Sequence, residues 1–324
     1  MMKLKHLFFN TDLSQMLLRN WFADIQDDSP VTPFRTSANA VFTHVNQRQK
    51  YFLRFSPVEE KDSTQIRAEL AFLQYLYDNQ YNAVEAIPAL NGESLVVADT
   101  PWGVYNAVLF REAKGRQLSA IKEKDKGKLY HGYGEALGRL HRLSMDYTPQ
   151  AERRLDWSQL LEQSDAMLRE YKAPAEVRKE LELLKRFFSE LPVTKNNYGL
   201  IHYDFESDNV FYDRHSRAFC PIDFDDAMYH WFTMDIVKTV QDIGNEQGAQ
   251  QFLAEYKREM EFDESVYAYA AVFQRYATLY SYARLLRSVH EQWDNEPAWM
   301  TELRLKLAVS MNEKSKAFGT EFPA

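Results

Sequence analysis

Three polar residues between positions 202 and 225 have the types and spacing that metal-assisted phosphoryl transfer requires: Asp204, Asn209 five residues later, and Asp223 fourteen beyond that. Transfer of a terminal phosphoryl group needs an acceptor hydroxyl held in line. A carboxylate at Asp204 can orient that oxygen and take its proton. The rest of the task is electrostatic. Mg²⁺ prefers octahedral oxygen coordination with one or two protein carboxylates, the remainder being phosphate and water. Asp223 would supply the charge, and the Asn209 amide offers an oxygen that adds no further negative charge beside a polyanion. The expectation is a phosphotransferase acting on an alcohol, with Asp204 catalytic, Asn209 and Asp223 on the metal, Mg²⁺ as cofactor and ATP or GTP as co-substrate.

The surrounding pattern alternates as strands do. Tyr198 to His202 leads into the loop, Asn209 to Tyr212 leaves it, Asp213 to Ser216 reads as a turn, and Arg217 to Ile222 forms the next run. A hairpin there brings Asn209 and Asp223 to the same end. Upstream, Leu13, Met16, Leu17 and Trp21 recur at helical spacing, and Ser29-Pro30-Val31-Thr32-Pro33 breaks the helix. Ala40 to Val45 and Lys50 to Phe55 read as a strand pair around a polar turn. The helix that follows is capped by Ser63 and carries Ile66, Leu70, Leu73 and Tyr77 as its buried stripe. Glu69 falls inside that stripe, where an unpaired carboxylate is costly. Arg54, in the preceding strand, is the expected partner, with Lys50 as the competitor on the same strand face.

Ser94 to Ala98 and Tyr105 to Phe110 are the next strands, and helical periodicity dominates beyond them, over Gly132 to Leu143, 158–172 and 174–190. His141 has no second metal-ligand type four residues on, so a core or capping role is expected. The aromatic run from Tyr267 to Tyr282 marks a C-terminal helix that is mostly core.

The motif residues His202-Tyr203-Asp204 through Asn209, with Ile222-Asp223-Phe224-Asp225-Asp226, resemble the aminoglycoside phosphotransferase and choline kinase family, a small-molecule branch of the protein-kinase-like fold. The resemblance is strongest from about 198 to 236, where Trp231 and Asp235 fall in the segment that often follows the metal motif. It implies an α+β, two-lobed fold, with an antiparallel-sheet nucleotide lobe over 1–110 and a larger, mostly helical catalytic lobe over 111–324. In the same family-like reading Thr36 to Asn39 is the loop over the phosphates, with Ser37 and Asn39 in contact, and Arg54 holds the α/β-phosphates, fixed by Glu69. Arg111 to Arg116 resembles the inter-lobe hinge, so adenine is expected against backbone groups from Phe110 to Glu112. Two departures stand out. Tyr203 occupies a position where the family usually has Gly. Asp225 stands where the protein-kinase D-F-G motif has Gly, which favours the small-molecule branch over a Ser/Thr protein kinase. Retention of Asp204, Asn209 and Asp223 together argues against a pseudokinase or nucleotide-binding module.

Composition bounds the rest. The 324 residues exceed what one compact core usually organises, and 45% apolar with 27% charged residues suits a soluble globular chain. No run approaches a bilayer span, the first ten residues do not read as a secretory signal, and the lone Cys220 excludes an internal disulfide, so a cytoplasmic location is expected. A net charge of −8 without a long basic cluster argues against nucleic-acid binding. Glu206, Asp208, Asp225 and Asp226 near the catalytic loop, combined with the tyrosines of 267–282, favour a small hydroxyl substrate that carries an amine, through charge attraction and cation–π contact.

Overall fold

A computed structural model describes residues 2–26, 29–122, 126–290 and 296–322. After α1 (Thr11–Leu18), whose first turn is capped by the Asn10 side chain accepting from Leu13 N–H at 2.9 Å, the chain builds an antiparallel sheet. Its strands are β1 (Thr32–Thr36), β2 (Ala40–Asn46), β3 (Gln49–Pro57), β4 (Ala86–Ile87), β5 (Val96–Thr100) and β6 (Gly103–Arg111), in the order β1-β2-β3-β6-β4 with β5 also on β6. The segment read as a break is thus partly strand. Pro33 lies in β1, where a sheet edge tolerates a residue with no N–H, and the β1–β2 register slips between Pro33 and Arg35. The β2–β3 turn places Gln47 and Arg48 at φ 48° and 68°, the twist a two-residue hairpin needs.

Strand pleating sorts β3 into two faces. Leu53 and Phe55 join a small core with Leu13, Leu17 and Trp21. Phe52 and Arg54 face the opposite way, toward α2 (Ser63–Asp78) and the helical part of the chain. The cap of α2 is Asp62, accepting from Thr64 N–H at 2.9 Å, while the Ser63 hydroxyl bonds Asn106 instead.

After β7 (Arg116–Gln117) come α3 (Tyr130–Asp146), α4 (Trp157–Glu170), α5 (Ala175–Glu190), β8 (Tyr198–Ile201), β9 (Val210–Asp213), β10 (Ala218–Pro221), β11 (Met228–Trp231), α6 (Thr233–Ile243), α7 (Glu246–Glu259), the single turn α8 (Glu264–Tyr267), α9 (Ala270–His290) and α10 (Ala298–Ser315). Helices α3 and α7 approach closely because Gly134 has no side chain. A Cβ there would strike the Phe252 carbonyl. β9 and β10 form the expected hairpin, flanked by β7, but β8 pairs with β11 rather than with β9. The main core runs from α2 and β6 through α3, the hairpin and α6 to α9, with Trp231, Tyr133 and Phe224 fully buried. Among the described residues no helix is long and apolar enough to cross a membrane.

Candidate active site

The loop between β8 and β9 carries Asp204, and one buried carboxylate shapes it. Asp235, near the start of α6, accepts from His202 N–H at 2.9 Å, from Tyr203 N–H at 2.6 Å and from His141 Nε2 at 3.1 Å. Burial alone would raise the Asp235 pKa, but the His141 hydrogen bond and the other donors bring it below the ordinary value. His141 is completed by Tyr256 Oη at 2.8 Å, so it is a core residue acting on the loop and not a ligand. His202 accepts from Asp204 N–H at Nδ1 and meets the Ile222 carbonyl at 2.9 Å through Nε2, which ties the loop to the hairpin. Tyr203 adopts φ 69°, the left-handed region that glycine enters freely and other residues enter at about 1–2 kcal/mol. Its ring packs edge-on to Tyr280 at 5.5 Å, and Lys238 lies 4.7 Å over its face.

Asn209 turns its Nδ2 onto Asp204, 2.8 Å from Oδ2 and 3.1 Å from the main-chain carbonyl, which leaves its own amide oxygen for another partner. Ile222 N–H donates to the Asn209 carbonyl at 2.8 Å, so the hairpin delivers Asp223 beside Asn209. Asp223 itself sits at φ 62°. Its side chain is 42% exposed, yet it lies in the cleft floor, where surrounding protein raises its pKa, only partly offset by Arg54 at 3.8 Å. A carboxylate that meets no hydrogen-bond donor among the described residues, beside a buried amide oxygen, is a donor pair that fits Mg²⁺ completed by phosphate and water.

Arg54 and Glu69 form a two-pronged ion pair, Nη1 to Oε1 at 2.9 Å and Nη2 to Oε2 at 2.7 Å, both side chains buried. Lys50 pairs instead with Glu112 at 3.4 Å. Burial would raise the Glu69 pKa, but the Arg54 guanidinium holds it below the usual value. Arg54 also lies 4.9 Å over the Phe110 ring. Arg111 N–H donates to the Glu85 carbonyl and Glu112 N–H to the Lys50 carbonyl, so neither amide is a free donor for a base. Ser37 lines the cleft, its N–H donates to the Asn39 carbonyl, and the Asn39 side chain reaches Asp225 Oδ2 at 3.0 Å.

A cleft of about 550 Å³ opens over Asp204, walled by Ser37, Tyr203, Glu206, Lys238, Tyr280 and Arg284. Its acids are mostly matched from within the chain. Asp204 and Glu206 share Lys238, at 3.2 and 2.8 Å. Burial would lower the Lys238 pKa, but the two carboxylates raise it above the ordinary value. Asp225 takes Lys61 as well as Asn39, and Asp226 takes Arg284 at 2.8 Å. The Arg154 guanidinium fixes the turn by donating to the carbonyls of Asp225, Ala227 and Gln65. Of the tyrosines in 267–282, only Tyr280 lines this cleft, and its face is covered by Arg284 at 5.1 Å. Tyr267 belongs to α8, and Phe273 and Tyr276 are core. The acidic and aromatic surface expected to hold an amine is therefore largely occupied by the chain's own cations. Lys61, Lys238 and Arg284 escaped the sequence reading because their partners are distant in sequence. Lys238 alone carried a signal, three residues after Asp235 on one helical face.

A family model described as phosphotransferase enzyme family matches residues 31–272. An amicoumacin kinase of Bacillus subtilis (strain 168) is 26% identical over 204 residues, 61% of this chain, and the chain spans only 58% of that relative's length. Among solved structures, an amicoumacin kinase in complex with AMP-PNP, Ca²⁺ and Ami superposes with a TM-score of 0.76 at 20% identity, covering 98% of this chain and 96% of that one. A microcompartment-associated aminopropanol kinase gives 0.67 at 19% identity over 93% and 95%. A spectinomycin phosphotransferase gives 0.61 at 13% identity over 94% and 97%. These likenesses show the fold, the two-lobed α+β architecture of kinases.

Proposed function

Because the chain belongs to the phosphotransferase enzyme family, we propose that it transfers the terminal phosphoryl group of ATP or GTP to a hydroxyl of a small molecule. The observation that carries this reading is the convergence on one spot of Asp204, Asn209 bonded to it at 2.8 Å, and Asp223 delivered beside Asn209 by the hairpin. Asp204 orients the acceptor oxygen and receives its proton. Asn209 and Asp223 hold Mg²⁺, which when bound neutralises phosphate charge and aligns the leaving group. Arg54, stiffened by Glu69, meets the α/β-phosphates, with the nucleotide between the sheet lobe of 1–110 and the helical lobe of 111–324. Ser37 is the loop residue placed to meet phosphate. Asn39 acts from behind, by holding Asp225.

The acceptor is a metabolite or antibiotic rather than a protein. We assign it to the amine-bearing class on the strength of the relatives, which are named for amicoumacin and aminopropanol. The paired acids of the cleft add nothing to that assignment. The test is ATP consumption by the purified chain with Mg²⁺ against 1-amino-2-propanol, amicoumacin, spectinomycin, choline, homoserine and simple sugars. Turnover that depends on Mg²⁺ and on one of these alcohols supports the reading. Nucleotide binding without turnover on any of them, or on water, sinks it. Efficient use of sugars alone removes the amine.

A further inference from the structure

We propose that Lys238 is a catalytic residue, whose ammonium contacts the acceptor oxygen and the phosphoryl group as they join. The inference rests on the reading of Asp204 as the proton acceptor. Lys238 projects from α6 one turn after Asp235, so one helix face fixes the loop's backbone through the acid and reaches its side chains through the base. Its Nζ lies 3.2 Å from Asp204 Oδ1 and 2.8 Å from Glu206 Oε1. An ammonium has three donors; two meet those carboxylates, and the Tyr203 ring lies 4.7 Å from Nζ on another side. The group is 16% exposed, and that exposure is to the cleft.

The two oxygens of Asp204 are not equivalent. Oδ2 faces the Asn209 amide, the side assigned to the metal, and Oδ1 faces Lys238. A hydroxyl that hands its proton to Oδ1 therefore brings its oxygen beside the ammonium. In the step itself the acceptor O–H breaks, its proton goes to Asp204, and the oxygen's electron pair forms the new bond to the γ-phosphorus. The bond from that phosphorus to the β–γ bridging oxygen breaks, and its electron pair leaves on the nucleoside diphosphate. Lys238 keeps its proton throughout and balances the negative charge at the acceptor and peripheral oxygens. A fixed cation at that place needs no reorganisation when charge develops, which is where such donors are most effective. The same ammonium repels a substrate amine from the Asp204–Glu206 pair, so an amine-bearing acceptor keeps its charge elsewhere in the cleft.

The alternative is that Lys238 only neutralises two neighbouring acids. Steady-state kinetics with Mg·ATP separates the two, using water as acceptor and then the best alcohol of the panel above. Lys238→Ala is expected to lower kcat by about 10²–10³ with both KM values within about threefold, the loss typical of one removed charge-stabilising donor. Ethylammonium in the assay should restore at least about tenfold of the Lys238→Ala loss, and Lys238→Arg should retain more activity than Lys238→Met, which keeps only the apolar stem. Melting temperatures of the three variants report folding, and if Lys238→Ala does not fold, the Lys238→Met and Lys238→Arg pair carries the comparison. A kcat loss under about threefold, a loss confined to KM, or no response to added amine with Arg no better than Met overturns the proposal. Wild-type turnover in Asp204→Asn overturns the reading of the site as well, an outcome distinct from failure at Lys238 alone.

Discussion

Removing Glu69 tests how the nucleotide grip is built. The Glu69 carboxylate is buried and makes two short bonds to Arg54, so Glu69→Ala strands a guanidinium inside protein. Breaking one side of such a pair costs about 3–5 kcal/mol, a large part of the roughly 5–15 kcal/mol that holds a domain together. The carboxylates left within reach of Arg54 are Asp223 at 3.8 Å and Asp225 at 3.9 Å, so the guanidinium is drawn toward the proposed metal ligand. A lost charge-assisted phosphate contact is worth about 1.5–3 kcal/mol, which corresponds to about a ten- to hundredfold weaker affinity. Glu69→Ala should therefore raise KM for ATP by that factor, leave KM for the alcohol nearly unchanged, and raise the Mg²⁺ concentration needed for half-maximal rate. Urea unfolding separates stability from binding. The pair Arg54→Met with Glu69→Leu removes both charges, so it should recover most of the stability while ATP affinity stays low. If Glu69→Ala unfolds at the wild-type urea midpoint, or the double variant binds ATP like wild type, the pair is not the support of the phosphate site.

Other outcomes follow from the same geometry. Asp204→Asn should lower turnover at least about a hundredfold while ATP still binds, measured by nucleotide titration beside kinetics. Asp223→Ala should abolish most activity, whereas Asn209→Ala should weaken the metal and be partly rescued by excess Mg²⁺; wild-type Mg²⁺ dependence in both would misplace the ligands. Acid should also distinguish the wild type from the double apolar variant. Arg54 outweighs burial and depresses the Glu69 pKa below the ordinary glutamate value of 4.5, so this carboxylate's contribution is present above that pH and is lost as pH falls through the lower folded value. The stability gap between the two proteins should shift against the wild type below about pH 4.5, and a gap constant with pH would contradict the assignment.

The parts of this molecule written in local periodicity were readable, and those written in distant pairing were not. Glu69 announced itself because a 3.6-residue stripe has no room for a lone acid, and Asn209 and Asp223 because a hairpin must join them. The partner of β8 lies at Met228–Trp231, beyond the hairpin, and no alternation in Tyr198–Ile201 specifies it. The Asn39 side chain meets Asp225, 186 residues away, a pairing that no local pattern specifies. The acids suggest an amine because charge is visible in a sequence, whereas its neutralisation by Lys61, Lys238 and Arg284 is not. Tyr203 in a glycine's place was a visible anomaly, and the structure accounts for it by keeping the backbone at φ 69° and filling the space with a packed ring.

The single carboxylate of Asp235 also has a kinetic consequence. A loop at the mouth of a cleft ordinarily exchanges its amide protons with solvent through small local fluctuations. Here the amides of His202 and Tyr203 end on a fully buried acid in α6, itself tied to His141 in α3. With both amides held by that buried acid, these two protons should exchange at the slow pace of the helical core. The loop that carries the chemistry would then keep its timing with the innermost part of the protein, and a mild denaturant should release it in step with α3 and α6.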